Sequence, residues 1–220
     1  MKAGRRRRER TKFVLPIHLD IPMSILSQRQ DLLRVKYPRF GTVMLMISRI
    51  EKEKNMIMAI ECFYNIYKHY SGVGLVIVGD GSLRSGLEKF VRKIGMEEMI
   101  IFEGWSDHSY KYFLSADLFL NTSDYEGYGR TLMEASAAEC PIITTDVGIV
   151  GEVLNEKNAL ISAPQDKVAF QNNIEFALKN KNLMKEKGKL ARNAVDYYMS
   201  ITEDDRLLMY KRSWEECQLK

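Results

Sequence analysis

Six short stretches of near-continuous apolar character recur along the chain: VMLMIS (43–48), GLVIVG (74–79), MIIF (99–102), DLFLN (117–121), PIITT (141–145) and ALIS (159–162). Four to six consecutive apolar residues suit strands buried on both faces of a parallel sheet. Between the runs the period changes. In NMIMAIECFYNIYKHY (55–70), Met56, Ile60, Phe63 and Tyr67 recur at three- and four-residue spacing, which predicts a helix with one core-facing stripe. Those Met and aromatic side chains are read as core, not as contacts to a cofactor. Repeated strand and helix alternation predicts an α/β fold, an open, doubly wound parallel sheet of about six strands.

The pattern divides the chain. Residues 1–12 form a basic arm read as disordered, and residues 13–40, with Pro16, Pro22 and Pro38, an irregular lead-in. Residues 41–200 carry the α/β domain, and 201–220 a C-terminal helix. From residue 166 onward the sequence reads as helices with no strand between them, packed on the sheet edge or reaching toward a partner domain.

At 220 residues, 45% hydrophobic and 28% charged, the chain has ample material for a buried core. No apolar run approaches the roughly 18 residues of a membrane helix, and the basic start is not followed by an apolar signal core. A cytoplasmic location is expected. Cys62, Cys140 and Cys217 lie far apart and lack metal-ligand spacing, so neither a disulfide framework nor a zinc site is indicated. The arm MKAGRRRRERTK holds seven Lys or Arg and one Glu, +6 against a whole-chain net of +4. It is read as a solvated tail, with contact to an anionic membrane surface as the alternative. No basic and aromatic interleaving of the kind that binds nucleic acid follows it.

In open α/β sheets, ligands bind beyond the carboxyl ends of the strands. SRIEKEKN places Arg49 at the first strand exit and Lys54 where the next helix starts; GDGSLR follows the second strand, TSDYEGYGR the fourth and TDVGIVGE the fifth. Two cations, three glycine-bearing turns and acidic groups would converge on one rim. A diphosphate wants fixed cations and main-chain N–H donors at a helix N-terminus, which Arg49, Lys54 and the turn at Gly127, Tyr128 and Gly129 could supply. A ribose diol or a sugar hydroxyl pair wants a carboxylate acceptor, a role open to Glu126 in the loop and to Glu134 in the second turn of a helix starting near Gly129. Gly79, Asp80 and Gly81 are weaker candidates, because Gly-x-Gly turns are common and Asp80 and Ser82 could simply shape the turn and cap the next helix. Glu152, with Gly148 and Gly151, either positions a loop near the sugar or starts a helix.

ISRIEKEKN, VGDGSLR, FEGW and SADLFLNTSDYEGYGRTLMEASAAECPIITTDVGIVGEV occur in order over about residues 40–200. Together they resemble the C-terminal, donor-binding half of family 4 (group 1) glycosyltransferases of the GT-B fold, whose domains are Rossmann-like. The resemblance implies a nucleotide-diphosphate sugar as donor, with Arg49 and Lys54 on the diphosphate, Glu126 at the sugar and Glu134 on the ribose. It also implies main-chain contacts from Gly127, Tyr128 and Gly129, and hexosyl transfer to an acceptor hydroxyl with retained configuration, without a metal or other cofactor.

A GT-B enzyme closes its site between two such domains, yet only about forty residues precede the first strand here. The acceptor half must then come from a longer chain or a separate subunit, and transfer by this half alone is expected to be weak or absent. The alternative is a non-catalytic nucleotide-sugar-binding or interaction module. A nicotinamide enzyme fails on spacing: the glycines fall at Gly79, Gly81 and Gly86, whereas the dinucleotide fingerprint needs the third where Arg84 stands.

Overall fold

The computed structural model describes residues 31–218. One six-stranded sheet runs in the order β3-β2-β1-β4-β5-β6, built from β1 (Thr42–Ile47), β2 (Val73–Val78), β3 (Ile100–Gly104), β4 (Leu118–Asn121), β5 (Ile142–Thr145) and β6 (Leu160–Ser162). Every adjacent pair is parallel. Each strand lies within two residues of one of the six apolar runs. The helices are α1 (Leu32–Lys36), α2 (Met56–Tyr67), α3 (Arg84–Lys93), α4 (Ser109–Phe113), α5 (Arg130–Ala137), α6 (Lys167–Lys179), α7 (Lys181–Ser200) and α8 (Glu203–Gln218).

Continuous apolarity in the strands reflects burial on two sides. Val43 and Leu45 of β1, with Val76, Val78, Phe119 and Ile142, face a layer that includes Phe113, Leu132, Ala191 and Val195 of α4, α5 and α7. The alternate positions Met44, Met46, Leu75, Ile77, Leu120 and Ile143 face Ile60, Phe63, Val91, Phe170 and Ile174 of α2, α3 and α6. Successive side chains of a strand point to opposite faces, so one apolar run supplies both cores. Phe63, Phe113, Phe119 and Phe170 are fully buried, and each such ring stabilises the fold by about 2–3 kcal/mol.

Edge packing was expected after residue 166, but α6 packs against β5, β6 and α2, and α7 against α5 and β5, so the two helices cover opposite faces of the sheet. Two cations tie α7 to the segment before β6 and to α5. The buried Lys187 donates to the carbonyls of Glu156 (2.5 Å) and Lys157 (3.2 Å), and Arg192 donates to Ala137 O at 2.5 Å.

One expectation changes at the N-terminal side. The lead-in is not wholly irregular: its end folds as α1, held by Leu33 in the core, by Arg34 on Asp117 at 2.7 Å, and by Lys36 and Tyr37 on Glu103. The basic arm and residues 13–30 lie outside the described residues. Among the described residues, no helix is long and apolar enough to cross a membrane.

In this strand order the chain winds outward in opposite directions from β1 and β4, which lie side by side. The carboxyl ends of those two strands therefore flank the crevice where doubly wound sheets bind ligands.

Candidate functional site

The exits of β1 and β4 are tied to each other. Asp124 N donates to Glu53 O at 2.8 Å, and the Thr122 hydroxyl donates to Lys54 O at 2.9 Å. Asn55 donates from its side chain to Asp124 at 3.1 Å. Lys54 ends a single 3-10 turn, Lys52–Lys54, and Asn55 in the left-handed region (φ 45°) swings the chain into α2. The helix thus starts two residues later than expected, and Lys54 projects from the turn instead.

That turn brings Lys54 Nζ to 2.7 Å from Glu126 Oε1, with the two side chains only 12% and 13% exposed. Ser123 Oγ lies 2.8 Å from the same carboxylate oxygen and 2.8 Å from Asn121 Oδ1, so its single proton serves one of them at a time. Beneath them Asn121 donates to Thr144 Oγ1, and the Thr145 hydroxyl donates to Ser123 O at 2.6 Å. These residues are buried. A satisfied polar network of this kind fixes the loop that carries Glu126.

Gly129, at φ 89°, turns that loop into α5, and among the described residues no side chain caps the helix N-terminus. The loop is braced from outside by Gly148 in the turn after β5. A Cβ on Gly148 would stand 2.5 Å from Tyr128 O, and its φ of 58° is also one that glycine favours. In the second turn of α5, Glu134 is almost buried, its side chain 9% exposed. Its Oε1 accepts from Arg130 Nε at 3.1 Å and its Oε2 from Ser109 Oγ at 3.4 Å. Burial pushes the Glu134 carboxyl above the ordinary glutamate range, against the opposing pull of Arg130 and Ser109.

Arg49 behaves differently. It sits at the β1 exit as expected, but its side chain is 70% exposed and pairs with Glu53 at 3.5 Å. It makes no hydrogen bond or ion pair with Glu126 or Glu134. The β2 exit packs tightly behind it: Gly79 and Gly81 back onto the carbonyls of Ser48 and Ile50 so closely that neither has room for a Cβ. Asp80 accepts from Gly81 N at 2.7 Å and from Arg84 at 3.3 Å, so its carboxylate serves its own turn. Ser82 does not cap α3. Its hydroxyl and main-chain N–H both go to Glu51, at 2.6 and 2.9 Å, joining the β1 and β2 exits. Glu152 is exposed in a turn after β5 and starts no helix; the next element is β6.

Ser109 and Arg130 hold Glu134, and Ser123 holds Glu126, contacts not evident from composition or motif. The four-residue step from Arg130 to Glu134 was the one available signal. Among the described residues, no three His, Cys, Asp or Glu side chains gather as a metal site. A cavity of about 570 Å³ lies at the other end of the sheet, lined by Thr42, Leu118, Pro141 and Lys181 among others, away from this rim.

Comparison with known proteins gives these residues a setting. Over 170 residues the chain is 26% identical to the N-acetylgalactosamine-N,N'-diacetylbacillosaminyl-diphospho-undecaprenol 4-alpha-N-acetylgalactosaminyltransferase of Campylobacter jejuni, covering 70% of this chain and 46% of that enzyme. It is 27% identical to the poly(glycerol-phosphate) alpha-glucosyltransferase of Bacillus subtilis, covering 78% of this chain and 27% of the relative. The chain spans less than half the length of these curated relatives. Among solved structures, the C-terminal domain of a glycosyl transferase group 1 family protein from Francisella tularensis superposes with a TM-score of 0.73 at 21% identity, covering 83% of this chain and all of that one. HepE from Anabaena, solved with UDP, superposes with a TM-score of 0.72 at 17% identity, covering 91% and 56%. Residues 34–194 match the family Glycosyl transferases group 1, and the chain is a member of that family.

Proposed function

We propose that this chain is the donor half of a glycosyltransferase, binding a nucleotide-diphosphate sugar at the carboxyl ends of β1 and β4. The observation that carries the reading is the Lys54–Glu126 contact, which sets a cation and a carboxylate side by side at the switch point of the sheet, next to the uncapped start of α5. An ammonium has three N–H donors and a carboxylate about four acceptor positions. Lys54 spends one donor on Glu126, and Glu126 accepts on Oε1 alone among the described residues. Two donors remain for a diphosphate, and Oε2 remains for a sugar hydroxyl.

The diphosphate would lie between Lys54 and the main-chain N–H groups that open α5, where a helix N-terminus favours anions. Charge that develops on the departing diphosphate meets Lys54 first, with the exposed Arg49 able to swing in from the neighbouring loop, so the proposed transfer needs no metal. Gly79, Asp80 and Gly81 hold the floor of the β1 exit in this reading, and Asp80 keeps acceptor positions beyond those given to Gly81 and Arg84. Glu134 would accept the ribose hydroxyls from within α5. The proposed outcome is hexosyl transfer to an acceptor hydroxyl with retained configuration.

Several relatives support the donor class. HepE was solved with UDP and glucose, and the pneumococcal O-GlcNAc transferase GtfA with UDP and GlcNAc. Acceptor binding is assigned to a second domain or subunit, since chemistry requires an oriented hydroxyl and exclusion of water. Contact of the basic arm with the inner face of a membrane belongs to the same proposal.

Calorimetry with UDP-, GDP- and ADP-sugars, on this chain and on Glu134→Ala, tests it. One nucleotide class should bind, and the variant should lose that binding. No binding by any of the three, or binding indifferent to Glu134→Ala, would remove the donor reading or the ribose role respectively.

A further inference from the structure

Arg130 stands where helix stability argues against it. It is the first residue of α5, and a cation in the first turn opposes the helix dipole. Its partner Glu134 lies four residues toward the C-terminus, the less favourable order for a helical ion pair. As a helical pair it would be worth only a few tenths of a kcal/mol, so helix stability does not account for an arrangement that sets a 57%-exposed guanidinium on a carboxylate 9% exposed. A break of two local rules at one residue is a mark of a functional position.

The geometry gives the reason. Glu134 is held from two elements, by Arg130 Nε on Oε1 and by the Ser109 hydroxyl of α4 on Oε2. Each oxygen accepts one protein hydrogen bond and keeps one acceptor position open. The guanidinium uses Nε for this contact, is 57% exposed, and its two terminal nitrogens make no hydrogen bond among the described residues.

We infer that Arg130 is a positioning residue: with Ser109 it holds the buried Glu134 carboxylate ionised and turned so that both oxygens face a vicinal diol. The inference rests on the reading of Glu134 as ribose acceptor. Left alone, burial would favour the protonated acid, which donates on one oxygen and so no longer offers an ionised acceptor on each. The groups acting on the carboxylate are Arg130 from its own helix and Ser109 from α4. Arg130 makes the closer contact, and it alone brings charge.

The test separates the two ideas. The chain is labelled with ¹³C at the Glu side-chain carboxyl, and the Glu134 signal is assigned by its loss in Glu134→Gln. Titration without ligand should then show a midpoint about half a unit or more higher in Arg130→Met than in wild type, partly restored in Arg130→Lys. Ser109→Ala should move it the same way by less. UDP affinity, measured by calorimetry from pH 5 to 8, should hold in wild type to lower pH than in Arg130→Met. Below the variant's midpoint the loss should be on the order of tenfold for each unit by which that midpoint has risen. Arg130 lies at the surface, so these variants should fold. A midpoint unmoved in Arg130→Met overturns the inference, whatever UDP does. A midpoint that rises while UDP affinity ignores it upholds the hold of Arg130 on Glu134 and removes the ribose assignment instead.

Discussion

Lys54→Met isolates the contact on which the donor site turns. The ammonium and carboxylate are 2.7 Å apart and nearly dry, at 12% and 13% exposure. At an effective dielectric of about 20, two unit charges at that separation attract by about 6 kcal/mol before desolvation is charged against them. Methionine keeps the stem volume and removes the charge, leaving Glu126 to bear its burial with Ser123 as remaining donor. Breaking one side of a buried pair costs about 3–5 kcal/mol; the surviving Ser123 bond puts the expectation near the lower end, about 2–4 kcal/mol. Urea unfolding of wild type, Lys54→Met, Glu126→Gln and the double variant measures it. The double variant should recover at least half of the loss, since neither charge is then stranded, yet it should bind no nucleotide sugar. A coupling energy below about 0.5 kcal/mol would show that the two groups are solvated independently, and the preorganised site inferred from them would fall.

Two further outcomes follow from the same rim. Because burial holds the Glu134 carboxyl above its ordinary value of 4.5, the folded chain keeps a proton in the window just above that value that the unfolded chain has released. Stability should therefore fall as pH rises through that window and level off beyond it. Glu134→Gln should erase the slope in thermal melts, match or exceed wild type at pH 7, and abolish nucleotide binding. Gly148→Ala should destabilise by about 2–4 kcal/mol, from its left-handed backbone and the clash with Tyr128 O, and weaken UDP binding by disturbing the turn before α5. Gly151→Ala is the control, since it has positive φ but no atom near its Cβ; equal unfolding free energies for the two would refute the clash.

The sheet was legible because burial on both faces keeps the strands largely apolar, with Asn121, Thr144 and Thr145 gathered at their carboxyl ends. Its order places the β1 and β4 exits together, so the sites of Lys54 and Glu126 could be foreseen from where strands end. Helix α1 was not legible: five residues with one buried side chain, Leu33, show no period. Side-chain partners were the other gap. Sequence placed Arg49 at the rim but not in its pairing with Glu53, and offered helix capping as an alternative for Ser82 where the structure gives it to Glu51. Ser109 meets Glu134 across 25 positions, a separation that only the packing of α4 on α5 closes.

The hydrogen bonds between the β1 and β4 exits have a consequence for how this half could be reused. Glu53, Lys54, Asn55, Thr122 and Asp124 lock to one another, and the loop that carries Glu126 is held by Thr145 on Ser123 O and braced by Gly148, all within this half. The proposed sugar-nucleotide cradle is thus a self-contained cassette. Joined to a foreign acceptor half of the same architecture, it should carry its donor preference with it, so that chimeras pair one half's sugar with the other half's hydroxyl.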